Sequence, residues 1–429
     1  MKEYKVGILG FGTVGAGVAD CLLKNADVIA KRTGTKPVLA GIADLDIETD
    51  RGITISKDLL TTDASELIHR VDVVVELIGG TTVAKKFILQ ALNEGKSVVT
   101  ANKALLAEHG EELFAAAEKN NADLYYEASV GGGIPIIKGL REGFVGNRIE
   151  RIYGILNGTC NYILTRMERE EIDFAPVLKD AQQLGYAEAN PSLDIDGYDT
   201  AHKATILAAL AYGKWFGMDP VYVQGIRDVT LTDIKFAGEL GYKVKLLAIL
   251  KQENGDIEIR VHPTMIPKRT QLAMIDEVFN GVMVTGDYVG DTLFYGRGAG
   301  RNATASAVVG DIVDVGLNIT GKTTRRISSF REGVQYKNLI KMDDVKSRYY
   351  LRLQVMDVPG VLAKITSILG NNDISISSLV QREGQSKHNV SLLVITHQTL
   401  EKNVKAAIEQ INQLSELRDT VKLIRIEDI

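Results

Sequence analysis

The sixteen residues Glu188–Lys203, EANPSLDIDGYDTAHK, hold four carboxylates, Glu188, Asp194, Asp196 and Asp199, and a lysine four positions beyond the last of them. Helical residues at that spacing lie one above the other, and an apolar run, ATILAALA, follows at once. The pattern predicts an acid and an ammonium side by side at the start of a helix whose opposite face packs inward. A lysine held this way is a point charge with a transferable proton, suited to an oxygen on which negative charge develops. Burial would lower its pKa and the neighbouring carboxylates would raise it. The plainer alternative, a surface ion pair, is worth little; the crowding of acids around one lysine favours a site.

Three other segments carry candidate chemistry. Thr100-Ala101-Asn102-Lys103 follows an apolar strand, KSVVTA, and puts a second lysine where parallel sheets collect their ligands. Glu127 stands just ahead of the Gly131–Gly133 run, whose backbone carbonyls could join its carboxylate around a hard cation, although a hinge accounts for the same glycines. Gly298, Gly300 and Arg301 form a further glycine turn ahead of a helix, with Gly300 a candidate cofactor contact. Only two cysteines and six scattered histidines occur, which excludes a disulfide framework and a thiolate or H-E-x-x-H metal site within one chain.

The elements that must position these residues begin at the amino terminus. YKVGILGFGTVG, residues 4–15, is a short strand running into Gly10, Gly12 and Gly15 at the G-x-G-x-x-G spacing, with Phe11, Thr13 and Val14 between the glycines. Such a loop turns tightly, lets backbone approach a pyrophosphate, and rests the phosphates on a helix N-terminus. PVLAGIAD, VDVVVELIG and KSVVTA follow as strands with helical stretches between them, so a doubly wound parallel Rossmann sheet of the α/β class is expected. Asp44 closes the second strand, where an acid meets the ribose hydroxyls of NAD; Arg51 and Lys57 could offset its repulsion of the 2'-phosphate of NADP. The charge pattern leans to NAD and leaves NADP open.

At 429 residues the chain suits two or three domains, and a net charge of −5 without a basic stripe argues against a nucleic-acid partner. No apolar run is long enough for a membrane helix and the first strand starts near Tyr4, so a cytoplasmic protein without a signal peptide is expected. From about residue 348 the pattern changes to strand, helix, strand, strand, helix, strand, with Asp357-Val358-Pro359-Gly360-Val361-Leu362 at the first strand-to-helix turn. This βαββαβ order resembles an ACT domain, a regulatory module that binds amino acids. The expected organisation is residues 1–135, dinucleotide binding; 136–321, an α+β substrate and oligomerisation domain; 322–347, a connection; and 348–429, the ACT module, removable without loss of catalysis.

NGTCNYIL from Asn157, TANKALL, EASVGGGIPI and LGYAEANPSLDIDGYDTAHK together resemble the homoserine dehydrogenase family, in order and spacing, over residues 4 to about 320. Cys160 stands where the family more often has threonine or another small residue. The resemblance implies reversible hydride transfer between NAD(P)H and L-aspartate 4-semialdehyde, giving L-homoserine for threonine, methionine and isoleucine biosynthesis. It implies Lys203 as proton donor, Asp199 and Glu188 as holders of the substrate amino group with Gly185 and Asp194 nearby, and Lys103 as a second ammonium. It also implies a sodium-type ion at Glu127 and the carbonyls of Val130, Gly132 and Ile134, a homodimer or larger assembly, and L-threonine as effector near the 357–362 turn. Two rivals remain: a thioester-forming aldehyde dehydrogenase with Cys160 as nucleophile, and a non-catalytic sensor of dinucleotide and amino acid, which the presence of both Lys103 and Lys203 disfavours.

Overall fold

A computed structural model describes residues 2–324, 326–327, 336, 338–383 and 389–429. The chain forms two compact units, each assembled from three stretches: Met1–Gly158, Tyr198–Val221 and Val278–Gln335 in the first, and Thr159–Gly197, Tyr222–Glu277 and Tyr336–Ile429 in the second.

The first unit opens with β1 (Lys2–Leu9), α1 (Thr13–Thr33), β2 (Thr35–Ala43), β3 (Leu60–Thr61), α2 (Ala64–His69), β4 (Val73–Glu76), α3 (Thr82–Asn93), β5 (Ser97–Thr100), α4 (Lys103–Lys119) and β6 (Leu124–Tyr125). Every pairing in this sheet is parallel, in the order β3-β2-β1-β4-β5-β6. Strands β4 and β5 are buried at all positions, as strands covered on both faces must be. The order reverses between β1 and β4, the point where such sheets hold a dinucleotide.

The short helix α5 (Ile136–Lys138) and β7 (Ile149–Ile155) follow. The chain then builds α6 (Gly158–Glu170), α7 (Phe174–Gln183) and α8 (Ser192–Ile195), and next α9 (Tyr198–Tyr212) in the first unit. The second unit takes β8 (Tyr222–Val223), α10 (Leu231–Glu239), β9 (Tyr242–Glu253) and β10 (Asp256–Pro267); the first takes β11 (Phe279–Gly286), β12 (Gly290–Arg297) and α11 (Arg301–Gly321). Helix α11 lies outside the expected 1–135 segment yet belongs to the Rossmann core. Its Ala305, Val308, Ile312 and Val315 pack with Tyr4, Val6 and Ile8 of β1 and with Ala16 and Val18 of α1. The helical stripe is legible in sequence; the sheet it covers is not.

The final stretch gives β13 (Asn338–Leu339), β14 (Lys346–Met356), α12 (Val361–Asn371), β15 (Ile376–Glu383), β16 (Asn389–Thr396), β17 (Thr399–Leu400), α13 (Glu401–Ile411) and β18 (Leu417–Ile426). Strand β14 runs antiparallel to both β16 and β18, and β15 pairs β16, over a core of Leu351, Leu353, Val355, Ile365, Val404 and Ile411. This is the expected βαββαβ order. Part of the expected connection, residues 325, 328–335 and 337, lies outside the described residues.

The module shares its compact unit with residues 159–197 and 222–277, to which it is joined by strand pairing and buried ion pairs. Strand β18 pairs in parallel with β10, Thr264 opposite Arg425 and Met265 opposite Ile426. Arg352 donates to Asp233 at 2.6 Å, and Arg260 donates to Glu427 at 2.6 Å. A chain stopped near Asp344 would lose these partners and the β18 pairing with β10.

Candidate active site

Helix α9 presents Asp199 and Lys203 from its first turns, as their spacing predicts. Lys203 Nζ donates to Asp199 Oδ2 at 2.7 Å and to the Leu156 carbonyl at 2.6 Å. Asn157 Nδ2 donates to the same Asp199 oxygen at 2.7 Å, and Lys103 Nζ lies 3.1 Å from Asp199 Oδ1. One carboxylate thus anchors two ammoniums from two different helices. Asp199 is 3 % exposed and Lys203 8 %, whereas the Lys103 side chain is 34 % exposed. Burial pushes the Asp199 carboxyl up, but the Lys203 and Lys103 ammoniums and the bonds from Lys203 and Asn157 outweigh it and hold the group well below the usual carboxylate range. Asp199 is therefore charged at any physiological pH. Such a cluster stabilises a developing alkoxide and can supply its proton.

Lys103 owes its position to the ends of β4 and β5. Thr100 Oγ1 donates to the buried Glu76 carboxylate at 2.7 Å, whose other oxygen accepts the Ile78 and Gly79 N–H groups. Asn102 caps α4 by accepting from Leu105 N–H at 3.1 Å and donates to the Gly80 carbonyl at 2.7 Å. The two loops are thereby tied together at the switch point of the sheet. Asn157, inside a motif quoted from the sequence, had no assigned role there. His202 Nδ1 is buried with no hydrogen-bond partner among the described residues, and burial lowers the pKa of the ring.

The glycine loop joins β1 to α1. Gly10 has φ of +102°, and a Cβ on it would sit 2.6 Å from the Leu77 carbonyl oxygen. Around Gly12 nothing lies within 4 Å of that position, room that a pyrophosphate needs above the first turn of α1, where Thr13, Val14 and Gly15 begin the helix. Phe11 departs from its expected contact role: its ring is buried in the core and its N–H donates to Asp44 Oδ2. Asp44 Oδ1 accepts from Asp46 N–H at 2.9 Å, so Asp44 braces the loop as well as closing the second strand. Arg51 pairs with Asp46 at 2.8 Å. Gly300 stands at the N-terminus of α11.

The Glu127 carboxylate differs from the expected cation ligand. Its oxygens accept the Ile137 and Lys138 N–H groups at 2.9 and 2.7 Å, and the Ile134 carbonyl accepts from Ile136 at 2.8 Å. Burial pushes Glu127 up to about 7 against those two bonds. Among the described residues no group of three or more His, Cys, Asp or Glu is placed to hold a metal ion.

In the second unit Gly185 and Glu188 follow α7 on exposed chain, where Gln182 donates to the Glu188 carbonyl at 3.1 Å. Cys160 is fully buried and donates to the Asp194 carbonyl at 3.2 Å, the environment of an inert thiol and not of a nucleophile.

A doubly wound sheet with a glycine loop at its switch point, and a paired lysine and aspartate in the same unit, defines a dinucleotide-dependent oxidoreductase. The sequence profile described as homoserine dehydrogenase, NAD binding domain, matches residues 10–127, that of homoserine dehydrogenase residues 135–313, and that of the ACT domain residues 349–416. The homoserine dehydrogenase of Neisseria gonorrhoeae is 45 % identical over 434 residues, covering the whole of both chains, and that of Bacillus subtilis 38 % over 431, covering all of this chain and 99 % of the relative. The solved homoserine dehydrogenase of Thiobacillus denitrificans superposes with a TM-score of 0.94 at 45 % identity, covering 100 % of this chain and 99 % of that one. A hyperthermophilic archaeal homoserine dehydrogenase, solved with NADPH, gives 0.62 at 28 % identity over 74 % of this chain and 98 % of its own. The chain belongs to the homoserine dehydrogenase family, and it carries that family's NAD-binding domain together with a C-terminal ACT domain.

Proposed function

We propose that this enzyme reversibly reduces L-aspartate 4-semialdehyde to L-homoserine, in the route to threonine, methionine and isoleucine. The observation that carries the reading is the buried Asp199 holding Lys203 and Lys103 together. The nicotinamide, when bound, supplies the hydride to the aldehyde carbon or receives it from the alcohol. The Lys203 ammonium gives its proton to the oxygen as the alkoxide forms, and as a free amine it takes that proton back in the oxidation. Asp199 keeps Lys203 in place, and Lys103 adds a second positive charge near the reacting oxygen. Glu188, Gly185 and Asp194 hold the substrate, by family resemblance.

The residues fit a dinucleotide: open space at Gly12, the free turn of α1, and the braced loops at Gly80 and Asn102 all suit one. NAD is expected to serve at least as well as NADP, because Arg51 is occupied by Asp46. A sodium ion would rest on the Val130 and Gly132 carbonyls, with Glu127 acting only through its charge. We extend the reading to a cytoplasmic homodimer or larger assembly; exposed Leu293 and Tyr295 on β12 support association, and no helix among the described residues is long and apolar enough to cross a membrane. An amino acid, L-threonine by the resemblance, would act through the ACT domain.

Steady-state rates in both directions with NAD and NADP, in sodium and in potassium salts, test this. Turnover of homoserine with either nucleotide is expected. No turnover with either would overturn the assignment, and equal rates in the two salts would remove the ion.

A further inference from the structure

The glycine turn of residues 298–301 takes no part in the hydride transfer described above, yet its last residue reaches toward the ribose end of the first unit. Arg301 opens α11, and its stem lies against α1: a Cβ on Gly17 would sit 2.9 Å from Arg301 Cγ and 3.0 Å from its carbonyl oxygen. Gly17 follows Thr13 by one helical turn on the same face of α1. The stem therefore lies one turn below the end of α1 that faces the open space at Gly12. A side chain at position 17 would displace it.

From there the guanidinium extends to the loop that follows β2. Its Nη1 is 3.9 Å from where a Cβ on Gly52 would stand. That loop begins with Asp44, which marks the ribose end of a dinucleotide site, and its aspartates are already engaged. Asp44 accepts the Phe11 and Asp46 N–H groups, Asp46 accepts from Glu48 and Thr49 N–H and from Arg51, and Asp50 accepts the Gly52 N–H. Among the described residues no carboxylate pairs with Arg301 and no acceptor takes its N–H groups. The half-buried guanidinium is thus a held cation with its five donors unspent. A 2'-phosphate arriving at this end meets Asp44 and Asp46, which repel it, and Arg51, which Asp46 holds. Lys57 is exposed, and fixing a mobile ammonium costs side-chain entropy that the packed stem of Arg301 has already lost. A planar guanidinium also grips phosphate oxygens two at a time.

We propose that Arg301 is a specificity-determining residue of the dinucleotide site and that its guanidinium receives the 2'-phosphate of NADP. The proposal rests on the reading of a dinucleotide-dependent dehydrogenase and deepens it: Asp44 serves NAD, and Arg301 lets the same site admit NADP.

The test is calorimetric titration of the full chain with adenosine 2',5'-bisphosphate and with adenosine 5'-monophosphate, which differ only in the 2'-phosphate, paired with initial rates. Arg301→Gln should lower the affinity for the bisphosphate relative to the monophosphate by about tenfold or more, the scale of hydrogen bonds to a charged group. Lys57→Gln should change that ratio by no more than about twofold, as an exposed charge contact does. The ratio of kcat/KM for NADP to that for NAD should fall in step with the affinities. Equal loss of both probes in Arg301→Gln would put the guanidinium on the 5'-phosphate and overturn the assignment. A change in the ratio below about twofold, or the large loss appearing in Lys57→Gln instead, would overturn it as well. Bisphosphate selectivity that depends on Arg301 in a chain unable to turn over homoserine would keep the inference and remove the dehydrogenase reading.

Discussion

Asp199 and Glu127 are carboxylates of the same unit with nearly equal burial, 3 % and 6 % exposed, yet they are held in opposite ways. Two ammoniums and an amide surround Asp199 and keep it charged. Glu127 accepts two backbone N–H groups, lies beside Asp311, and is pushed up to about 7, while Asp311 itself is pushed well above its ordinary range by burial and by Glu127. Backbone dipoles offset less of the desolvation than full positive charges do, and a neighbouring acid adds repulsion. Burial therefore does not decide the state of an acid; the partners that fold against it do. One carboxylate is a fixed anchor for two lysines, and the other is a titrating strut under the glycine turn.

The sharpest way to break this contrast is Lys203→Ala. It should lower kcat in both directions by a factor of about 100 to 10,000 and leave nucleotide affinity nearly unchanged, because Lys203 lies on the Asp199 cluster and not on the glycine loop. Retention of more than half the turnover would remove the proton-donor role. Asp199→Asn should also cut kcat and in addition destabilise the fold, since loss of one member of a buried pair costs about 3–5 kcal/mol; chemical denaturation measures it.

Glu127→Gln tests the other half of the contrast through pH. A carboxyl whose folded pKa is raised stabilises the fold fully below its unfolded value and loses that contribution as pH rises through about 7; the loss is at most roughly 3 kcal/mol. Wild-type stability should fall between pH 5 and 8, and the variant should show a flatter curve. Asp199, being depressed, adds no slope in that window, because its contribution disappears only in strong acid. Equal slopes in wild type and variant would place the titration elsewhere.

The smallest effect is expected at an exposed acid. Asp46 is kept low first by its hydrogen bonds with Thr49 and also by Arg51. Arg51→Ala should leave NAD kinetics within about twofold and lower kcat/KM for NADP by at most a factor of roughly five, the scale of an exposed charge contact. A larger loss with NADP would show that Arg51 leaves Asp46 to meet the 2'-phosphate.

The sequence by itself determined what lies within a few residues of its own cause. Gly10, Gly12 and Gly15 mark the turn from β1 into α1, four-residue spacing puts Asp199 under Lys203, and the alternation after residue 348 writes out the ACT order. Spacing and turn chemistry act over one or two helical turns, so a short window contains them. The tertiary structure decided who meets whom across the chain. It set Asn157 and the Leu156 carbonyl against the α9 pair, brought α11 onto the Rossmann sheet, closed Asp44 onto Phe11, and filled the Glu127 carboxylate with the N–H groups of Ile137 and Lys138. It also joined β18 to β10 and so tied the ACT domain to the rest of its unit. These choices follow from the need to satisfy every polar group that loses water on burial, and which groups lose water is fixed only when distant segments pack.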